Sequence, residues 1–158
     1  MPRCLTSRTH LLGIAALALT AFWGCGDNGS SETPDREPIV LEVSAHEYYF
    51  LAAETITAGP TTLLFKNEGQ EDHEMALVQL DGVSTEEFHG RWHQEGLVSA
   101  LESTNERAYL EAIGPGETGQ MEADLEDGEY VFICQTPTPD GTPHGDKGMT
   151  KVLTVTSE

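Results

Sequence analysis

The sequence predicts an all-β sandwich carrying one short helical insertion at about residues 84–112. Short apolar or alternating runs recur along the chain, with Gly, Asn or Asp turn signals between them. Over 84–112 the apolar period lengthens from two to three or four. The chain has 158 residues, and removal of an N-terminal leader leaves about 134, which is one core's worth and not two.

The leader comes first. Arg3 and Arg8 give a positive start, and residues 11–23 are apolar apart from Gly13 and Thr20. That run is too short to span a bilayer as a helix and reads as an export signal over 1–25. Gly24-Cys25 closes it, and a Gly-Cys pair there resembles a bacterial lipoprotein processing site. The resemblance implies a lipidated Cys25 and an extracytoplasmic, membrane-anchored chain. An ordinary secretory signal cut nearby and a retained membrane anchor are the alternatives. Residues 26–38 (GDNGSSETPDREP) lack apolar periodicity and read as a flexible tether. The folded domain is expected at 39–158.

Within it, Ile39-Val40-Leu41-Glu42-Val43 reads as a strand and Tyr48-Tyr49-Phe50 as an apolar cluster. Ile56 leads to a turn at Ala58-Gly59-Pro60, then a β-rich run over 61–65 ended by Asn67-Glu68-Gly69. Residues 75–80 form another strand, ended by Asp81-Gly82. Ser84 with Glu87 fits a capping box, and Phe88 and Trp92 make one apolar helix face. Leu97, Val98 and Leu101, then Tyr109, Leu110 and Ile113, predict a second helical segment broken by Gly114-Pro115-Gly116. Met121, Ala123 and Leu125 alternate with acids as in a half-exposed strand. Asp127-Gly128 reads as a hairpin turn, Tyr130-Val131-Phe132-Ile133-Cys134 as a buried strand, and 149–155 as the last strand.

Charge excludes some function classes. Asp and Glu number 27 against 8 Lys and Arg, for a net charge of −19. Such a surface repels phosphate backbones, so nucleic acid is not an expected partner. The acids are scattered, which fits a solvated domain or a cationic partner.

Of three cysteines, Cys4 falls in the leader and Cys25 at its end, which leaves Cys134 and no intramolecular disulfide. A lone Cys reads as inert packing or as a metal ligand. The segment from Cys134 through His144 to Met149 holds a thiolate, an imidazole and a thioether in 16 residues, a donor set that suits copper. A second imidazole is available at His73, at the head of the 75–80 strand, if that strand lies beside the Cys134 strand. Taken singly, Met149 reads equally as core, His144 and His73 as solvated loop residues, and Cys134 as packing. Their occurrence together in this order favours the site. Pro137, Pro139 and Pro143 stiffen the intervening loop.

From about residue 39 to 157 the chain resembles the cupredoxins, the plastocyanin and azurin family. The motifs are the Ala58-Gly59 and Asn67-Glu68-Gly69 turns, His73, Pro115-Gly116-Glu117-Thr118, Asp127-Gly128-Glu129-Tyr130 and the Cys134–His144–Gly145–Met149 loop. The resemblance implies a Greek-key β-sandwich with one type 1 copper held by His73, Cys134, His144 and Met149. It implies electron transfer with redox proteins of the cell envelope, by a monomer, with His144 near the surface in an apolar patch as the electron's exit. Two features depart from the small blue proteins. Nine residues separate Cys134 from His144, closer to the type 1 loop of copper nitrite reductases, and Glu74 stands where Asn or Ser is usual.

The chain is not expected to be an enzyme. Ile133 and Gln135 flank Cys134 where multicopper oxidases place His, and no His-x-His pair occurs. A metal-free cupredoxin-fold binding module, or a periplasmic copper-handling protein, is the remaining alternative. His89 and His93 have helical i, i+4 spacing that would suit zinc, but no third ligand is apparent, and a solvated helix face is the plainer reading.

Overall fold

The computed structural model describes residues 36–157. The leader, Cys25 and the tether up to residue 35 lie outside the described residues.

Nine strands form two sheets. They are β1 (Ile39–His46), β2 (Tyr49–Leu51), β3 (Thr55–Thr57), β4 (Gly59–Asn67), β5 (His73–Leu80), β6 (Thr104–Ile113), β7 (Thr118–Leu125), β8 (Gly128–Ile133) and β9 (Thr150–Thr156). One sheet has the order β2-β1-β4-β7 and the other β3-β9-β8-β5-β6. β1 pairs with β4, and β3 with β9, in parallel; the other pairings are antiparallel. Leu41, Val43, Ala45, Leu63 and Phe65 from the first sheet meet Met75, Leu77, Tyr130, Phe132 and Leu153 from the second, all buried. Strand alternation explains this directly, because every second side chain faces the partner sheet.

Helix α1 (Thr85–Glu95) and the short α2 (Leu97–Leu101) form the insertion. Ser84 caps α1 by accepting the Glu87 N–H at 3.2 Å, as the capping box predicts. Phe88, Trp92 and Ala100 pack on Val78, Leu80, Val131 and Ile133, on the opposite side of β5 and β8 from the main core. Those two strands are therefore covered on both faces, which is why 130–134 is a continuous apolar run rather than an alternating one. Among the described residues no helix is long and apolar enough to cross a membrane.

Three local expectations are corrected. The helical insertion ends at Leu101, and residues 104–113, expected to be helical, form β6. Register shifts between His73 and Met75, and between Leu77 and Val78, place bulges in the β5–β6 ladder. The bulges break strict alternation, so Leu110 pairs with Met75 while Ile113 pairs with His73, and the spacing mimics a helix face. Asp127-Gly128 is not a hairpin. β7 belongs to the first sheet and β8 to the second, so the chain crosses between sheets there. The Gly59-Pro60 turn is likewise absorbed into the start of β4.

Candidate metal centre

β9, β8 and β5 are consecutive antiparallel neighbours, with Ile133 opposite both Thr150 and Ala76. The end of β8 therefore meets the starts of β5 and β9. That topology brings Cys134, His73 and Met149 to one end of the second sheet's strands. His144 arrives on the connecting loop, just before a single 3-10 turn at Gly145–Lys147.

The loop is tied from within. The Cys134 N–H donates to the Met149 carbonyl at 3.3 Å, and the Met149 N–H to the His144 carbonyl at 3.0 Å. The Gly145 N–H donates to the Cys134 carbonyl at 2.6 Å, and the His144 N–H to the Thr136 carbonyl at 3.0 Å. Further out, Pro137 and Pro143 face each other as an antiparallel bridge. The Asp140 carboxylate accepts from the Thr138 hydroxyl at 2.5 Å, the Thr142 N–H at 2.9 Å and the Lys147 ammonium at 2.9 Å. Hydrogen bonding by Thr138 and then Lys147 holds the Asp140 carboxyl well below the usual carboxylate range. Satisfied backbone groups, with proline at three loop positions, make the nine-residue spacer a fixed element.

The donor atoms converge. His73 Nδ1 lies 3.0 Å from His144 Nδ1. Cys134 Sγ lies 3.5 Å from His144 Nδ1 and 3.9 Å from His73 Nδ1. All three residues, and Met149, are fully buried. Among the described residues, these three form the one group of His, Cys, Asp or Glu side chains gathered tightly enough to hold a metal. A trigonal metal with bonds of about 2.0 Å to nitrogen and about 2.3 Å to sulfur separates its nitrogens by about 3.5 Å and each from sulfur by about 3.7 Å. The triangle fits a single ion. Burial pushes the Cys134 thiol up, a cost that a bound cation removes. Burial, and then the neighbouring His144, lower His73 and favour the neutral imidazole that ligates metals.

Carboxylates and an indole support this group. Glu74 Oε1 accepts the Gln135 N–H at 2.8 Å, and its Oε2 accepts the Tyr109 hydroxyl at 2.9 Å. The residue that departs from the family pattern thus ties the start of β5 to the residue after Cys134. The hydrogen bond from Tyr109 to Glu74, above all, raises the Tyr109 hydroxyl from its ordinary value. Buried Asn67 braces the loop before His73: its amide donates to the carbonyls of Glu71 and Ile113, each at 2.8 Å, and its oxygen accepts the Gly69 N–H at 2.9 Å. A Cβ on Gly69 would come within 2.8 Å of His73 Nε2. Trp92 Nε1 donates to Asp146 at 2.9 Å, and its ring lies so close over Gly145 that a Cβ there would sit 2.7 Å from Trp92 Cη2.

One expectation is corrected here. His144 exposes no surface, and a carboxylate rather than the expected apolar patch stands over its outer nitrogen. The Glu71 carboxylate stands on His144 Nε2 at 2.8 Å, and the edge of Tyr48 packs against the ring with centroids 5.5 Å apart. Among the described residues His89 and His93 gather no third ligand. His89 Nε2 is buried without a hydrogen-bond partner, and burial lowers its pKa, with His93 adding to the shift. Sequence reasoning missed the roles of Glu71, Trp92 and Tyr109, since nothing in the linear order ties them to Cys134.

No family model and no curated protein matches this sequence. Solved structures do match. Dithionite-reduced auracyanin from the photosynthetic bacterium Roseiflexus castenholzii superposes with a TM-score of 0.52 at 22% identity, over 73% of this chain and 95% of that one. Auracyanin B gives 0.52 at 22%, over 77% and 92%. Auracyanin A from Chloroflexus aurantiacus, described as a "blue" copper protein, gives 0.50 at 22%, over 75% and 98%. At that identity the likeness establishes the shared fold.

Proposed function

We propose that this chain, whose fold is that of the cupredoxins, is an extracytoplasmic electron carrier holding one type 1 copper. The buried triangle of His73 Nδ1, His144 Nδ1 and Cys134 Sγ carries the reading. Copper bound there would supply one-electron chemistry between Cu(I) and Cu(II).

The chain's residues have distinct parts in this. Cys134 supplies the thiolate, which stabilises Cu(I). His73 and His144 supply nitrogens that suit both oxidation states. Met149, buried at the start of β9, offers the weak thioether. The loop ties and the Glu74 clamp hold the donors in place, so little geometry changes as one electron comes and goes. Full burial of the donors excludes water. No substrate is transformed.

The leader and Cys25 support a lipid tether on the outer side of a membrane. The partners proposed are redox proteins of the cell envelope. The net charge of −19 favours partners with basic surfaces, with association slowing as salt rises.

The test is to load the full-length chain with Cu(II) and record its visible spectrum. A copper–thiolate charge-transfer band that disappears in Cys134→Ser supports the carrier. Copper uptake without the band points to copper handling, and no uptake by the folded protein leaves a binding module.

A further inference from the structure

His73 and His144 are both buried and both turn Nδ1 inward, yet their outer nitrogens are treated differently. His73 Nε2 has no hydrogen-bond partner, with Glu47 Oε1 3.8 Å away. His144 Nε2 meets Glu71 Oε2 at 2.8 Å. A carboxylate only accepts, so the imidazole donates Nε2–H and its Nδ1 carries the lone pair that faces Cys134 and His73.

Glu71 is itself placed. Its N–H donates to Glu47 Oε1 at 3.2 Å, and its carbonyl accepts from the buried Asn67 amide at 2.8 Å. Its side chain is 30% exposed over an imidazole that is not exposed at all. The carboxylate is thus the layer between the imidazole and solvent.

We propose that Glu71 is a positioning residue for His144. Resting on the copper reading above, it fixes the Nε2–H tautomer, turns Nδ1 inward before any metal arrives, and sets a negative charge against the ligand that favours Cu(II) over Cu(I). Carboxylates on the outer nitrogen of a ligating imidazole act in this way at metal sites generally.

The test has a metal-free arm and a copper arm. Long-range proton–nitrogen spectra of the metal-free full-length chain should show His144 protonated at Nε2. Glu71→Gln, which keeps an acceptor oxygen, should preserve that tautomer; Glu71→Ala should lose the preference. A wild-type His144 protonated at Nδ1, or an unchanged tautomer in Glu71→Ala, overturns the proposal. In the copper-loaded protein, Glu71→Gln should keep the charge-transfer band and shift the ratio of Cu(I) to Cu(II) affinity toward Cu(I) by about tenfold, a rise of about 59 mV. An unchanged potential in Glu71→Gln overturns the electrostatic part. Failure of the wild type to take up copper would sink the carrier reading instead, while the tautomer would still decide whether Glu71 holds His144.

Discussion

Glu74 and Gln135, 61 residues apart in the chain, are joined at 2.8 Å by a carboxylate oxygen that accepts a backbone N–H. The bond crosses from the second residue of β5 to the residue after Cys134. It therefore fixes the His73 side of the site against the Cys134 side, and Tyr109 on β6 secures the other carboxylate oxygen.

Removing that clamp should cost stability. Glu74→Ala leaves the Gln135 N–H and the Tyr109 hydroxyl without their acceptor, and should destabilise the metal-free chain by about 1–3 kcal/mol in urea unfolding. Glu74→Gln offers one acceptor oxygen instead of two and should recover part of that loss. Equal stability of Glu74→Ala and the wild type would show that the bond carries no weight.

The contact of Trp92 with Gly145 makes a steric prediction. In Gly145→Ala the new methyl group would meet Gln135 Nε2, the movable end of a flexible side chain, and would sit 2.7 Å from Cη2 of the packed Trp92 ring. The indole must shift and give up its bond to Asp146, at a cost of about 1–3 kcal/mol by thermal or urea unfolding. Pairing Gly145→Ala with Trp92→Phe tests the origin of that cost. Contacting residues couple, so the two losses should fail to add. Simple additivity would place the strain elsewhere.

Met149 serves either as core or as a ligand, and Met149→Leu separates the two. The exchange conserves volume and should cost less than about 1.5 kcal/mol. The thiolate band should persist, because it belongs to Cys134. Loss of the thioether should raise the reduction potential, read by voltammetry. A potential equal to the wild type's would make Met149 packing alone.

Asp140 gives the acid behaviour of the loop. Its folded pKa is depressed, first by the Thr138 hydrogen bond and then by Lys147. A depressed carboxylate stabilises the folded state above its unfolded pKa, near 3.9, and that contribution is lost as pH falls through the lower folded value. Between pH 5 and pH 8 the Asp140 contribution should be constant. The stability difference between wild type and Asp140→Asn should hold in that range and shrink below about pH 4. A difference that shrinks instead above pH 6 would assign the effect to another group.

Part of the donor triangle could be read in the sequence because Cys134 and His144 lie ten positions apart around one loop. His73 needed one further condition, that its strand lie beside the Cys134 strand, and the Ala76–Ile133 pairing meets it. Bulges hid β6, since they place Leu110 and Ile113 at a spacing that copies a helix. The asymmetry between the two imidazoles was illegible. Glu71 sits among Gln70 and Asp72, one acid among many. Only the folded path of the loop braced by Asn67 carries it to a histidine 73 residues away.

Because β8 has the sandwich core on one side and α1 and α2 on the other, the strand that delivers the cysteine has no face through which it can loosen by itself. Opening it requires the helices and the opposite sheet to part together. Its amides belong with the slowest to exchange with solvent. The fold thereby anchors the Cys134 thiol to the part of the molecule that opens last.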